Sequence, residues 1–205
     1  MGAALTNKII YLTGAPATGK STLTENLSRQ LPDAVVFTYS KELLDWVKKR
    51  TTLLATQDDL RRESAKMITR EDVQAVDSQL VELVNSCRGQ RTVVVDSHPV
   101  TIEEFGFRVT PFTKKQLGAL APDVIVCLYA NTETIIERIS RNAAGRPMPS
   151  HYEIDLHTQL QCQVASIYAI ETGASLYYLN ASCSPDDLLG NFISVTGIGS
   201  PNNEQ

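Results

Sequence analysis

Five short, almost continuously apolar runs punctuate the chain: residues 8–13 (KIIYLT), 34–39 (AVVFTY), 92–96 (TVVVD), 123–130 (DVIVCLYA) and 175–180 (SLYYLN). Each is rich in β-branched or aromatic residues, the pattern of parallel strands covered on both faces. Between them the period changes. Residues 21–30, 41–49, 57–64 and 70–87 read as helices. In the last, Val73, Val76, Leu80, Leu83 and Val84 recur at three- and four-residue spacing and form one buried stripe. Ser150 and Glu153 make a capping box that opens a helix carrying Leu156, Leu160, Val164 and Ile167, and Gly173 closes it. Ser184-Pro185 starts a final helix, and residues 197–205 read as a polar, frayed tail. Strands alternating with helices imply an α/β, three-layer α/β/α sandwich around a five-stranded parallel sheet. With 205 residues and neither repeat nor linker, residues 1–196 form one domain.

Composition narrows the partners. The formal net charge is −4, with 42% hydrophobic and 20% charged residues, so the broad basic footprint of a duplex-DNA binder is missing. Cys87, Cys127, Cys162 and Cys183 match no zinc or redox spacing and read as free thiols in a reducing compartment. With no signal-peptide pattern and no apolar stretch of 18 residues, the expected location is the cytoplasm, away from the membrane. The sequence specifies no oligomeric state.

The strongest chemical signal follows the first strand: Gly14-Ala15-Pro16-Ala17-Thr18-Gly19-Lys20-Ser21, then Thr22. This is G-x4-G-K-S between a strand and a helix, the context in which it cradles a nucleoside triphosphate. The glycines let successive N–H groups point inward, and the helix N-terminus adds positive potential. Lys20 is placed to reach the β- and γ-phosphates, and Ser21 to ligate Mg2+. A carboxylate at a neighbouring strand end completes such a site. Asp96 ends the third run and Asp123 begins the fourth. Ligands bind at the carboxyl ends of parallel strands, which favours Asp96 as a ligand in the Mg2+ shell or as an acceptor base. His98, two residues on, is a candidate for shaping the acceptor site.

Together, GAPATGKST, VVVDSHPV and the arginines after the fourth strand resemble the archaeal-type adenylate kinases, which are P-loop nucleoside monophosphate kinases. The resemblance spans about residues 8–195 and implies the nucleotide-kinase type of P-loop fold, with ATP and Mg2+ as cofactors. It implies that residues 14–22 hold the ATP phosphates and that Asp96-Ser97-His98 stands for an Asp-Thr-His segment. Gly106-Phe107 falls where that family has a Gly-Tyr pair lining the acceptor pocket. Arg61 and Arg62 fall among its acceptor-binding helices, here about residues 41–87. Arg138, Arg141 and Arg146 fall on basic positions of its short lid, here about residues 142–150. Three departures lie on the acceptor and lid side. Tyr39-Ser40-Lys41 replaces a Gly-Asp pair, the segment after Phe107 lacks a Gly-Leu-Pro, and the lid has fewer basic residues.

Phosphoryl transfer rests on positioning and charge neutralisation. Lys20, Asp96, Arg138, Arg141 and Arg146 are the candidate catalytic set. Asn180, with Ala181 after it, is the candidate adenine contact. Ser40, Arg61, His98, Gly106 and Phe107 are the candidate acceptor residues, with Lys41 as a further cation. Tyr39, Trp46 and Phe107 are candidates to stack a base. The leading expectation is a Mg-ATP-dependent kinase with a small nucleotide-like acceptor. The alternatives are a kinase for a hydroxyl acceptor, whether a nucleoside, a sugar or a hydroxymethylated base in modified DNA, and an ATP-binding switch or ATPase. The lack of a carboxylate after the second strand weighs against the hydroxyl acceptor.

Overall fold

All five apolar runs form strands. The computed structural model describes residues 7–50, 68–141 and 148–199. In chain order the elements are β1 (Ile9–Gly14), α1 (Lys20–Gln30), β2 (Val35–Thr38), α2 (Tyr39–Arg50), α3 (Arg70–Cys87), β3 (Val93–Asp96), β4 (Val100–Glu103), β5 (Gly106–Val109), α4 (Lys114–Leu120), β6 (Val124–Tyr129), α5 (Thr132–Arg141), α6 (His151–Thr172), β7 (Ser175–Asn180) and α7 (Pro185–Thr196). The helix expected over residues 57–64 lies outside the described residues.

The main sheet is parallel, with strand order β2-β3-β1-β6-β7. β1 is central and pairs with β3 (Leu12 opposite Asp96) and with β6 (Gly14 opposite Leu128). Alternation along the strands divides the core in two. Ile10, Leu12, Val94, Val126 and Leu128 pack against Leu23 and Leu27 of α1, Ile135 and Ile139 of α5, and Leu188, Leu189 and Phe192 of α7. Ile9, Tyr11, Phe37, Val95, Ile125 and Cys127 face the opposite way, onto Leu44 and Val47 of α2, Leu80 and Val84 of α3, Leu117 of α4 and Val164, Ala165 and Tyr168 of α6. The three-layer α/β/α sandwich is therefore as expected.

Helix boundaries follow local chemistry. Thr69, Thr113 and Ser150 each close a capping box, and Ser184 caps α7 ahead of its Pro185. Gly173 ends α6 in the left-handed region, at φ 72°. Tyr39, expected to finish β2, instead opens α2. Its hydroxyl donates to Asp77 Oδ1 at 2.7 Å, which pins the start of α2 to α3. The segment after Asp96 forms an antiparallel hairpin, β4–β5, which the sequence reading did not anticipate. Its strands have four residues each and its turn lacks the Asn-Gly or Asp-Gly signal of a hairpin. α4 was also missed, and β7 is an edge strand with Tyr177 and Tyr178 exposed rather than covered on both faces. The buried face of α6 includes Val164, with Leu160 partly buried against the core. Ile154, His157, Gln161, Val164, Ala165 and Tyr168 are buried, while Ile167 is 54% exposed. Ile198 is 1% exposed, so the packed chain runs past residue 196.

Asp123 is a fastener of the sheet: its Oδ2 accepts from the Ile9 N–H at 2.6 Å, at the end of β1 opposite the glycine-rich loop. Replacing Asp123 by Ala should lower unfolding stability by about 1 kcal/mol, the worth of one such bond, and leave turnover within about twofold. Denaturant titration and steady-state assay of the same preparation measure both.

Candidate functional site

The glycine-rich loop leaves the sheet at its centre, where β1 is flanked by β3 and β6. Gly14 has φ 149°, and a Cβ there would stand 2.6 Å from the Leu128 carbonyl oxygen, so only glycine fits. Thr18, fully buried, donates from Oγ1 to the Ala15 carbonyl at 2.8 Å and closes the loop on itself. Gly19 is left-handed at φ 98° and is the N-cap of α1. It supplies no side-chain acceptor to the first-turn N–H groups, which suits an anion there. Lys20 Nζ lies against the loop's inner rim, donating to the Gly14 carbonyl at 2.5 Å and the Ala15 carbonyl at 3.2 Å. Pro16, Ala17 and Gly19 are half-buried, while Ser21 and Thr22, at the head of α1, are exposed. Ala17 sits at φ 62°, a left-handed conformation that an L side chain adopts at a cost.

Asp96 ends β3 one strand away and is 6% exposed. Burial raises the pKa of its carboxyl, and the Lys20 ammonium pulls it down. Its Oδ1 is buried without a hydrogen-bond partner. An acceptor-only oxygen beside the lysine of a phosphate loop fits the donor set of a hydrated Mg2+, to which the Ser21 hydroxyl could add a second oxygen.

Arg138 joins two walls of the site. It donates from one nitrogen to the Ala17 carbonyl at 3.2 Å and from another to the Ala181 carbonyl at 2.7 Å. Arg141, three residues on, is exposed and pairs with Glu137 at 2.5 Å. The two arginines are thus in different settings, although both lie on α5. Asn180 is exposed and turns the chain after β7 by accepting from the Ser182 N–H at 2.9 Å. Ser40 is half-buried in the first turn of α2, and Lys41 beside it is exposed. His98 is half-buried in the segment joining β3 to β4. Gly106, at φ 126°, and Phe107 open β5, the Phe107 ring edge-on to His157 at 5.2 Å. Tyr39 and Trp46 pack against the core, and Tyr39 is further committed to Asp77. Arg61, Arg62 and Arg146 lie outside the described residues.

The sequence reading missed two residues on α6. His157 is 2% exposed, with Nε2 3.0 Å from the Val100 carbonyl; since a carbonyl only accepts, Nε2 carries the proton. Burial lowers its pKa, against the raising effect of that bond, so the ring is neutral. Gln161, one turn on and 1% exposed, donates from Nε2 to Thr13 Oγ1 at 2.5 Å. A legible signal was present: two polar residues at i and i+4 on the buried face of a helix. Cys127 and Cys162 are free thiols with sulfurs 3.8 Å apart.

A phosphate loop at the centre of a parallel sheet, with a buried carboxylate at the next strand end, defines a P-loop protein of the nucleotide-binding class. A family model described as AAA domain matches residues 13–155, and the chain belongs to that family. The chain is 26% identical over 178 residues to an adenylate kinase of Pyrobaculum aerophilum, covering 86% of each sequence. It is 28% identical over 173 residues to an adenylate kinase of Methanothermobacter thermautotrophicus, covering 82% of this chain and 88% of that one. Among solved structures, an unliganded sugar kinase from Janibacter sp. superposes with a TM-score of 0.53 at 16% identity, covering 95% of this chain and 96% of the other, a likeness of fold.

Two substitutions test the loop. Ala17→Gly should raise stability by up to about 1 kcal/mol, because it removes the left-handed cost; a thermal melt that does not shift upward would contradict that. Gly14→Ala should abolish nucleotide binding in a chain that still folds, read by calorimetry alongside circular dichroism.

Proposed function

We propose that this P-loop kinase transfers the γ-phosphoryl group of Mg-ATP to a nucleoside monophosphate. The observation that carries the reading is the glycine-rich loop closed around Lys20 beside the buried carboxylate of Asp96. The adenylate kinase relatives, matched over more than four-fifths of each chain, support the choice of acceptor.

Each residue then has a chemical task. The backbone N–H groups of Ala17, Gly19 and Lys20 and the head of α1 hold the β-phosphate, and Ser21 and Thr22 close over it. Lys20 exchanges its contacts with the Gly14 and Ala15 carbonyls for the β- and γ-oxygens, which keeps one charge beside the transferring group throughout. Ser21 and Asp96 are the residues to hold Mg2+, which when bound neutralises charge on the two phosphates. Arg138, tied to both Ala17 and Ala181, fixes the base-side wall against the loop, with Asn180 beside it. Arg141, Arg146 and Arg61 are assigned to the phosphates from the lid and the acceptor helices. Ser40, His98, Gly106 and Phe107 border the acceptor.

The acceptor decides what Asp96 must do. A phosphate monoester is already largely ionised near neutral pH, because its second pKa is about 6. Its oxygen attacks without a base, which leaves Asp96 for the metal. A hydroxyl acceptor would need the same carboxylate as a base.

Incubation with γ-labelled ATP and a panel of nucleoside monophosphates, nucleosides, sugars and hydroxymethylated DNA tests the reading. Label should appear on a nucleoside monophosphate. Label on a hydroxyl compound alone, or only in released phosphate, overturns it. Lys20→Met should lower turnover at least a hundredfold while the chain stays folded, measured by the same assay with circular dichroism as control.

A further inference from the structure

The helix that runs behind the site makes two buried polar contacts, and they reach the two halves of the site separately. His157 donates to the Val100 carbonyl, which begins β4 four residues after Asp96. Gln161, one helical turn further on, donates to the Thr13 hydroxyl, and Thr13 is the last residue before Gly14. The register aligns these points: Leu12 lies opposite Asp96 and Thr13 opposite Cys127. One face of α6 thus grips both the chain entering the phosphate loop and the chain leaving the carboxylate.

The burial of these groups argues for more than packing. Thr13 and Gln161 are each 1% exposed. An apolar pair of the same shape would avoid the cost of desolvating an amide and a hydroxyl. Moreover, Gln161 Oε1 is buried without a hydrogen-bond partner, as is Asp96 Oδ1. The Lys20 ammonium is close enough to act on both Asp96 and His157. Polar atoms are therefore concentrated where β1 meets the loop.

We propose that Gln161 is a positioning residue of the phosphate loop: acting through the Thr13 hydroxyl it sets where β1 ends, while His157 sets the chain behind Asp96 from the same helix face. Gln161 touches no substrate in this arrangement. Its effect reaches the nucleotide through Gly14 and Lys20, since a shift of the strand end carries the loop with it. The inference rests on the loop being the ATP phosphate site and is independent of which acceptor is used.

Because the contact is between two neutral groups, a double-mutant cycle isolates it. Binding of the non-hydrolysable analogue AMP-PNP with Mg2+ is measured by calorimetry for the whole chain, alongside thermal melts. Gln161→Leu and Thr13→Val should each weaken binding about tenfold, because each leaves one buried polar group unpaired. The double variant should bind no worse than either single one, within about twofold. Losses that multiply to about a hundredfold would overturn the inference, as would unchanged affinity in both Gln161→Leu and Gln161→Met. Val84→Ala, in the core of α3, supplies the stability control: it should lower the melting temperature and keep wild-type affinity. If it loses affinity as Gln161→Leu does, binding follows stability and the positioning role fails. No binding by the wild-type chain would overturn the ATP reading itself, whereas wild-type binding with unaffected variants overturns only the role of Gln161.

Discussion

The close approach of Gly14 to the Leu128 carbonyl is the contact on which the site depends. Parallel strands must continue into loops at one end of the sheet, and the central strand is crowded on both sides when it does so. β1 can turn toward α1 only by passing over the end of β6, and the 2.6 Å that a Cβ would leave there admits hydrogen alone. Everything that follows takes its position from that turn: the Thr18–Ala15 closure, the left-handed residues at Ala17 and Gly19, and the uncapped start of α1. Backbone donors are then fixed by geometry before any ligand arrives, which is the condition under which they contribute most to stabilising charge.

Holding such a loop requires support from outside it, because a glycine-rich segment has little side-chain packing of its own. Three elements provide it. Arg138 of α5 bridges the loop to the turn after β7, Asp96 and Lys20 interact across the strand ends, and Gln161 of α6 meets the last residue of β1. The supports come from opposite faces of the sheet, α5 on one side and α6 on the other. A loop supported from both helical layers is a consequence of the three-layer architecture.

The legible parts of this molecule were those governed by local rules. The glycine-rich loop, Asp96 at its strand end, the Ser150–Glu153 box and the Ser184-Pro185 start are short-range signals, and the structure places them as the sequence suggests. On α6 the apolar period names Leu160 and Val164, which pack against the core, and Ile167, which is exposed, but passes over His157 and Gln161. His157 and Gln161 lie on the buried face with partners, Val100 and Thr13, that come from distant parts of the chain and that no local pattern encodes. The β4–β5 hairpin was illegible for a related reason. Its eight strand residues carry no strong turn signal, and it is held by contacts such as Phe107 on His157 that no local pattern encodes. Arg138 was found as a cation, but its two carbonyl partners, 121 and 43 residues away, are properties of the fold.

The division between faces also bears on the acceptor. On the side of α1, α5 and α7 the strand ends are closed by the loop itself and by Arg138. On the other side the chain after Asp96 rises into the hairpin, and α2 begins at the end of β2, so these two elements flank the carboxyl ends of β2 and β3. On the proposed reading, an acceptor phosphate would meet the γ-phosphate from that side. Two anions brought together there repel unless cations intervene. With a net charge of −4 over the whole chain, those cations must be local, and the sequence concentrates them in Lys41, in Arg61 and Arg62 between α2 and α3, and in the arginines that follow β6. On the proposed reading, acceptor choice belongs to the segments inserted between the strands, apart from the sheet and the loop assigned to ATP. Under that reading the G-x4-G-K-S loop can stay as it is while Tyr39, Ser40 and Lys41 vary with the acceptor.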